Sequence, residues 1–258
     1  MIIISAWYGR FGNNVLQVLR AIHACKHLDH GVVRLPSHNL FGVTSMVIDG
    51  SVDETSLPII ESEFFYLEDV GIPNPSIETL RSIALDYGET FLDSRLNYFA
   101  TDYQAAIHLR GGDVFSLRPH PDYVQPPLVY YQSAIASLEA RPVALVSQDQ
   151  KNPVYNKLKG NPNVTDVSGT LVSDFSYLLS AKVLVFSAST FCLAAMLLSQ
   201  RVKTIHVPSY YLPFLPVGNF SGDIEVIQYD LPGYIKPGKW RNSFLQRRRM
   251  ISYRASQG

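Results

Sequence analysis

Apolar and polar positions alternate in two rhythms along the carboxy-terminal part of the chain. From Asp102 onward, short apolar runs typical of strands are separated by longer apolar-polar runs typical of helices. The pattern predicts strands over 104–109, 142–147, 163–167, 182–187 and 203–207, and helices over 127–139, 152–159, 171–180 and 190–199. Strands that alternate with helices form a parallel sheet covered on both faces, so we predict an α/β fold.

The amino-terminal part begins with the same rhythm and then loses it. The apolar strand Ile2–Ile4 leads through a glycine turn into a helical run from Val15 to Ile22. A short strand over 31–35 and an apolar stretch over 41–49 follow. Residues 50–100 mix acidic, aromatic and proline residues, and we predict a less regular structure there that covers the first sheet or faces a substrate.

Composition excludes several classes of protein. The chain has 258 residues, 47% of them hydrophobic, which is enough to bury a substantial core. Lys plus Arg and Asp plus Glu number 22 each, so net charge gives no reason to expect a nucleic-acid partner. Cys25 and Cys192 both lie in apolar helical runs, which predicts buried free thiols and neither a disulfide framework nor a zinc site. We see no signal peptide or integral membrane segment, and we expect a cytoplasmic protein.

The segment from Ala105 to Val114 carries the strongest chemical signal. A strand ends there in His108-Leu-Arg110-Gly-Gly-Asp113. Ligands of open α/β sheets bind at the carboxyl ends of strands, and a guanidinium binds a diphosphate through two parallel hydrogen bonds. The two glycines allow the backbone to approach such a ligand. The alternative is a surface turn with an arginine in a salt bridge.

Two further polar loops follow predicted strands. Gly9-Arg-Phe-Gly-Asn-Asn14 joins the first strand to the first helix, an arrangement that offers helix N–H groups to an anion. Ser187-Ala-Ser-Thr-Phe191 lies between a strand and a helical run in the same way. The hydroxyls of the second loop have an alternative role as caps of the following helix.

In this order, the three segments resemble the fucosyltransferase superfamily, which includes the α-1,2, α-1,6 and protein O-fucosyltransferases. Gly9-Arg-Phe-Gly-Asn13 is similar to its Gly-x-x-Gly-Asn-Gln signature. His108-Leu-Arg110 with Gly112-Asp113 is similar to the His-x-Arg-Arg-Gly-Asp block that binds the donor diphosphate. Asp174-x-x-Tyr-Leu and the segment 182–191 are similar to the third block, which ends in a Ser-x-Ser-Ser-Phe-like loop.

The resemblance implies a GT-B-like α/β fold of two Rossmann-like halves with parallel sheets flanked by helices. It divides the chain into an acceptor-side half over 1–100, a donor-binding half over 101–240 and a basic tail over 241–258. The implied activity is inverting transfer of fucose from GDP-fucose to a glycan hydroxyl, with no cofactor and no metal. Arg110 and Asp113 are the catalytic candidates, and the candidates for substrate binding are Gly12, Asn13, His108, Arg110, Asp149, Ser187, Ser189, Thr190 and Phe191.

Two positions depart from the family pattern. Gly111 stands where the family has a second arginine, and Asn14 where it has a glutamine. We expect Gly111 to leave space beside the donor and to remove one positive charge. The departure keeps open an alternative function, a Rossmann-like protein that binds a nucleotide sugar without transferring it. A nicotinamide dehydrogenase is disfavoured because no Gly-x-Gly-x-x-Gly follows a strand with an acidic residue beyond it.

Two carboxylates near the arginine motif have open roles. Asp113 is either the base that accepts the acceptor proton or a brace of its own loop. Asp149 follows the strand predicted over 142–147, where it either accepts hydrogen bonds from a guanine base or caps the helix predicted from residue 152. For the basic tail, from Arg241 to Arg254, we predict a solvated helix face or packing on the other domain in preference to a membrane-surface patch.

Overall fold

The computed structural model describes residues 1–48, 58–96, 98–99, 101–139, 141–211 and 223–254. Residue 49 of the predicted apolar stretch, positions 97 and 100 near the predicted domain boundary and residues 255–258 of the predicted tail lie outside these ranges. The chain divides into two compact units, Met1–Asn97 with Leu193–Gln200, and Tyr98–Cys192 with Arg201–Gly258. The domain boundaries given above stay a prediction.

The amino-terminal unit has a four-stranded sheet. Its elements are β1 (Ile2–Ile4), α1 (Phe11–His27), β2 (Val32–Arg34), β3 (Ser45–Val47), β4 (Ile60–Ser62) and α2 (Ile77–Phe91). The sheet order is β3-β2-β1-β4, in which β1 is parallel to β2 and β4, and β3 is antiparallel to β2. Ile2, Ile4 and Val33 are buried, and α1 packs against β1. The apolar alternation of these short strands therefore faces the helices.

Helix α2 corrects part of the prediction that residues 50–100 have a less regular structure. Its apolar positions Ile77, Leu80, Ile83 and Ala84 are buried at helical spacing. The Ser76 side chain accepts a hydrogen bond from the backbone N–H of Thr79 and caps the first turn. The acidic and aromatic residues around this segment obscure the apolar periodicity of an ordinary amphipathic helix.

Within the ranges that the structure describes, the carboxy-terminal unit has six strands. Its elements are β5 (Ala105–Leu109), α3 (Leu128–Ala136), β6 (Val143–Ser147), α4 (Tyr155–Lys159), β7 (Val164–Asp166), α5 (Leu171–Ser180), β8 (Val183–Val185), β9 (Thr204–Pro208), β10 (Glu225–Tyr229) and α7 (Phe244–Ser252). Helix α6 (Thr190–Leu198) begins in this unit, and its residues from Leu193 onward belong to the amino-terminal unit. Every strand pairing is parallel, and every residue of β5 is buried. The predicted α/β class with parallel sheets flanked by helices is confirmed.

The strand order of this unit creates a switch point beside β5. The sheet reads β10-β9-β8-β5-β6-β7, so the chain runs outward from β5 to β7 and then returns to the other side of β5 with β8. The connections that leave the carboxyl ends of β5 and β8 therefore diverge. A crevice forms at such a point, and open α/β sheets bind their ligands there.

The last helix, α7, lies against α3 of the same unit. Met250 is fully buried, whereas Phe244 and Leu245 are exposed. The Ser243 hydroxyl caps its first turn together with Gln246. The tail thus has a solvated helix face, as predicted, and an apolar anchor. Among the described residues, no helix combines the length and the hydrophobicity that crossing a bilayer requires.

Candidate functional site

Arg110 lies at the carboxyl end of β5, beside the switch point. Its Nη1 donates a hydrogen bond of 2.7 Å to the Ala188 carbonyl in the loop after β8. Its Nη2 is 3.2 Å from Oδ2 of Asp113. The side chain retains 18% of its exposure, so it is held firmly while part of the guanidinium still faces solvent. A cation fixed in this way is suited to an anionic ligand.

The ring of Tyr123 provides a further contact to this arginine. The guanidinium carbon of Arg110 lies 4.5 Å from the ring centroid, a cation–π geometry. The rings of His120 and Tyr123 also pack together, with 4.7 Å between their centroids. Tyr123 lies in the connection after β5, and its stacking on Arg110 depends on a loop conformation that no sequence pattern predicts.

The glycine pair after Arg110 is tied to the loop after β6. Oδ2 of Asp149 accepts a hydrogen bond of 2.8 Å from Gly112 N, and Oδ1 accepts one of 2.9 Å from Lys151 N. Helix α4 begins only at Tyr155, so the interpretation of Asp149 as a helix cap is wrong. The carboxylate instead joins the loops that follow two neighbouring strands.

Asp149 also explains why residue 111 is a glycine. A Cβ atom added at Gly111 would lie 2.2 Å from Oδ1 of Asp149, well inside van der Waals contact. The expectation that Gly111 leaves space beside the site is therefore wrong. The Asp149 carboxylate fills the space where the side chain of an arginine at residue 111 would begin.

His108 is buried on the strand and is neutral. Its Nδ1 lies 3.1 Å from the hydroxyl of Ser187, at the carboxyl end of β8. Burial, and secondarily the charge of Arg110, lowers the pKa of His108 to about 3. The imidazole therefore acts at neutral pH as an uncharged hydrogen-bonding link between β5 and the loop after β8.

The loop from Ser187 to Phe191 leads into α6. The Ser189 hydroxyl accepts a hydrogen bond of 3.1 Å from Phe191 N, so the capping interpretation holds for this residue. Thr190 is the first residue of the helix and is half-buried. The Phe191 ring lies 5.3 Å from the ring of His108. The amino terminus of α6 thus emerges at the same edge of the sheet as Arg110.

Asp113 is the carboxylate nearest to Arg110. Its side chain is half exposed and pairs with the guanidinium at 3.2 Å. The pair is compatible both with bracing and with proton acceptance. Taken together, the structure brings seven predicted residues to one edge of the carboxy-terminal sheet: His108, Arg110, Asp113, Asp149, Ser187, Ser189 and Phe191.

Gly12 and Asn13 belong to the other unit, in the first turn of α1. Gly9 before them adopts a left-handed backbone with φ of 73°, and an added Cβ would meet the Asn13 amide at 2.2 Å. The glycine turn therefore depends on Gly9. Whether Gly12 and Asn13 contact a ligand stays a prediction.

Sequence reasoning missed Gln17, which is fully buried one helical turn after Asn14. Its Oε1 accepts hydrogen bonds from Tyr8 N and from the Asn14 amide. Its Nε2 donates to the carbonyls of Ala6 and Glu63. A glutamine inside an apolar helical run was the available signal.

No protein-family model and no curated protein sequence matches the chain. Solved structures do resemble it. A crystal structure of POFUT1 in complex with GDP has a TM-score of 0.46 and 14% identity, and the match covers 79% of this chain and 96% of POFUT1. POFUT1 in complex with GDP-fucose has a TM-score of 0.45 and 14% identity, covering 79% and 97%. Its apo form has a TM-score of 0.47 and 13% identity, covering 88% and 97%. At such low identities and scores, we derive no residue role and no activity from the likeness.

Proposed function

We propose that this protein is an inverting glycosyltransferase that transfers fucose from GDP-fucose to a glycan hydroxyl. The observation that carries the proposal is the position of Arg110. It is a partly exposed cation, held by the Ala188 carbonyl and the Tyr123 ring, at the switch point of an all-parallel sheet. The choice of fucose and of GDP rests on the motif resemblance.

The chemistry asks for positive charge where the diphosphate leaves. The bond between the sugar C1 and the diphosphate oxygen breaks with its electron pair on the oxygen, while the acceptor hydroxyl oxygen bonds to C1 from the opposite face. Arg110 stabilises the charge that develops on the diphosphate. The first N–H groups of α6 carry the positive end of a helix dipole at the same edge. Because His108 is neutral at neutral pH, it adds no positive charge to that of Arg110.

The proton of the acceptor hydroxyl needs a base, and we assign Asp113 to that role. Its carboxylate is half exposed and lies beside Arg110, where an acceptor hydroxyl would approach the bound donor. Asp149 remains our candidate reader of the guanine base. Each of its oxygens accepts one backbone N–H and retains a lone pair for a donor on the ligand.

The test is replacement of Arg110 by Ala and by Lys, with GDP release from GDP-fucose as the readout. Arg110→Ala should lower turnover by about a hundredfold or more, because the cation that faces the leaving group is lost. Arg110→Lys should recover only part of it, since an ammonium lacks the planar fork. Arg248→Ala on the exposed face of α7 is the matched control. Near-normal turnover of Arg110→Ala would refute the assignment.

A binding measurement beside the GDP-release assay separates transfer from binding alone. The position of Asp149 favours the second candidate, a protein that binds a nucleotide sugar without transferring it. Its carboxylate fills the space where the side chain of a second arginine, at residue 111, would begin. Calorimetry with GDP-fucose that shows tight binding, combined with no GDP release in the presence of glycan acceptors, would establish that function instead.

We also propose that the reaction needs no divalent metal. Arg110 and the helix terminus supply the positive charge that a metal would otherwise bring to the diphosphate. GDP release should therefore be the same in EDTA and in magnesium or manganese. Loss of turnover in EDTA that is restored by one of these ions would contradict the proposal.

A further inference from the structure

Exposed aromatic rings lie together at the carboxyl edge of the amino-terminal sheet. Tyr8 follows β1, and Phe65 and Tyr66 follow β4, its parallel neighbour. The ring centroids of Tyr8 and Phe65 are 4.4 Å apart, and those of Phe65 and Tyr66 are 4.8 Å apart. Tyr8 is 47% exposed and Tyr66 is 58% exposed. We call these three residues the aromatic platform.

Buried hydrogen bonds hold the two loops of the platform in register. Gln17, with no exposed surface, binds Tyr8 N and Ala6 O in the loop after β1 and Glu63 O in the loop after β4. Such a buried side chain satisfies polar backbone from both loops at once. Two exposed tyrosines are thus carried by a rigid support, which is typical of residues selected for contact with a ligand.

The loop after β4 contains a strained residue beside the platform. Phe64 has a left-handed backbone with φ of 53° although its side chain is fully buried. Bulky residues rarely adopt this conformation, and strain of this kind concentrates at functional sites. Phe64 is buried at this turn of the backbone, and the two residues after it carry the half-buried and the exposed ring of the platform.

Charged groups lie beside the platform. The guanidinium carbon of Arg20 lies 5.5 Å from the centroid of the Phe65 ring. Exposed Glu63 lies just before Phe64. Charged groups are depleted from the centres of protein interfaces, so this surface is poorly suited to a protein partner.

We propose that the aromatic platform binds a pyranose ring of the glycan acceptor, an inference that rests on the proposed glycosyl transfer. One face of a pyranose presents C–H groups, which stack on an aromatic ring, while its hydroxyls point outward to polar side chains. The platform has a matching arrangement, with apolar ring faces and the charged side chains of Arg20 and Glu63 beside them. Tyrosine is suited to this because it combines a large ring with a hydroxyl that stays in water.

The test measures binding of two free disaccharides, lactose and N,N′-diacetylchitobiose, by saturation-transfer NMR and titration. The double variant Tyr8→Leu/Tyr66→Leu removes both exposed rings, and Tyr8→Phe/Tyr66→Phe keeps them. We expect the Leu pair to weaken binding by about tenfold or more and the Phe pair by about twofold or less. Phe244→Leu, which removes an exposed ring from α7, should bind as the wild type does. Tyr66→Leu alone serves if the Leu pair is poorly folded.

Two results would overturn the proposal: no saturation transfer from the wild type to either disaccharide, or equal binding by the Leu pair and the wild type. Hydrolysis of GDP-fucose is measured on the wild type and on Phe244→Leu, and the two should be equal. Failure of the proposed function would appear as absent hydrolysis in the wild type, whereas failure of the platform would appear in the disaccharide titrations alone.

Discussion

At the scale of single residues, the candidate donor site depends on contacts between loops that follow different strands. Asp149 is the clearest case, because its carboxylate occupies the position where a side chain at residue 111 would begin. It also accepts the Gly112 N–H, so moving it exposes an unpaired backbone donor. The glycine and the aspartate therefore act as one unit.

This coupling makes a specific prediction for Gly111→Ala. The added methyl group should lower the free energy of unfolding by about 1–3 kcal/mol, measured by urea denaturation, since Asp149 must rotate away from Gly112. In an Asp149→Ala background the same substitution should cost less, because the clashing oxygen is gone. Gly160→Ala is the control, because its Cβ would meet nothing closer than 3.4 Å. Equal costs of Gly111→Ala in both backgrounds would contradict the coupling.

Sequence reasoning identified Arg110 but not its environment, for a physical reason. A strand that ends in arginine places that side chain at the carboxyl edge whichever strands are its neighbours. Its partners depend on which strands are neighbours and on how the loops fold. Tyr123 and Ala188 come from two different connections, so neither contact has a local signature.

At the scale of elements, β1, β4 and the start of α1 form one supported unit. The amide of Gln17 bonds to the loops after both strands, and the Asn14 amide donates to Tyr8 O. The family pattern has a glutamine where this chain has Asn14. Here a glutamine one helical turn later makes the hydrogen bonds that join the two loops.

We predict that Gln17→Leu destabilises the amino-terminal unit by about 2 kcal/mol, because backbone groups of Tyr8, Ala6 and Glu63 lose a hydrogen-bond partner at partly buried positions. Hydrogen exchange should show the loss of protection in these two loops. Gln132→Leu, an exposed glutamine on α3, should change neither quantity. A protein with Gln17→Leu that is as stable as the wild type would mean that water replaces these hydrogen bonds without cost.

Elements with a strong hydrophobic periodicity were predictable from the sequence. Elements with a weak periodicity, or with flanking residues atypical of that element, were not. Helix α5 was predicted with its observed bounds, Leu171–Ser180, because its apolar face and capping residue Thr170 are both clear. Helix α2 was missed because phenylalanines, prolines and acids precede it. Strand β10 lies at the sheet edge, its residues are exposed or partly buried, and its hydrophobic alternation is too weak to detect.

At the scale of the whole molecule, strand order is what turns separate motifs into a candidate site. The segments after β5, β6 and β8 are distant in sequence, and they meet because these three strands are neighbours. Hydrophobic patterning predicts strands but not their order, since the order depends on how helices of both faces pack. The motif resemblance, not the periodicity, suggested that Arg110 and the Ser187–Phe191 loop belong together.

Two buried histidines make the stability of the molecule depend on pH. Burial lowers the pKa of His206 to about 4, and burial with the Arg110 charge lowers that of His108 to about 3, against 6.5 for a free side chain. Below pH 6.5 the unfolded chain binds protons that the folded chain does not. The free energy of unfolding should therefore fall as the pH drops, by up to about 1.4 kcal/mol per pH unit for each histidine. Asp174, whose pKa burial raises, opposes this trend, because the folded chain takes up its proton more readily than the unfolded chain.

His206→Gln isolates one of these contributions without touching the candidate donor site. Glutamine keeps a polar partner for the Tyr229 hydroxyl, which lies 2.8 Å from His206 Nδ1, and it does not titrate. Urea denaturation between about pH 5 and pH 7 should show a slope smaller by about 1 kcal/mol per pH unit than that of the wild type. Gln132→Leu, which removes no titrating group, should keep the slope of the wild type. If His206→Gln also kept that slope, His206 would be titrating normally in the folded protein, and the burial that lowers its pKa would be refuted.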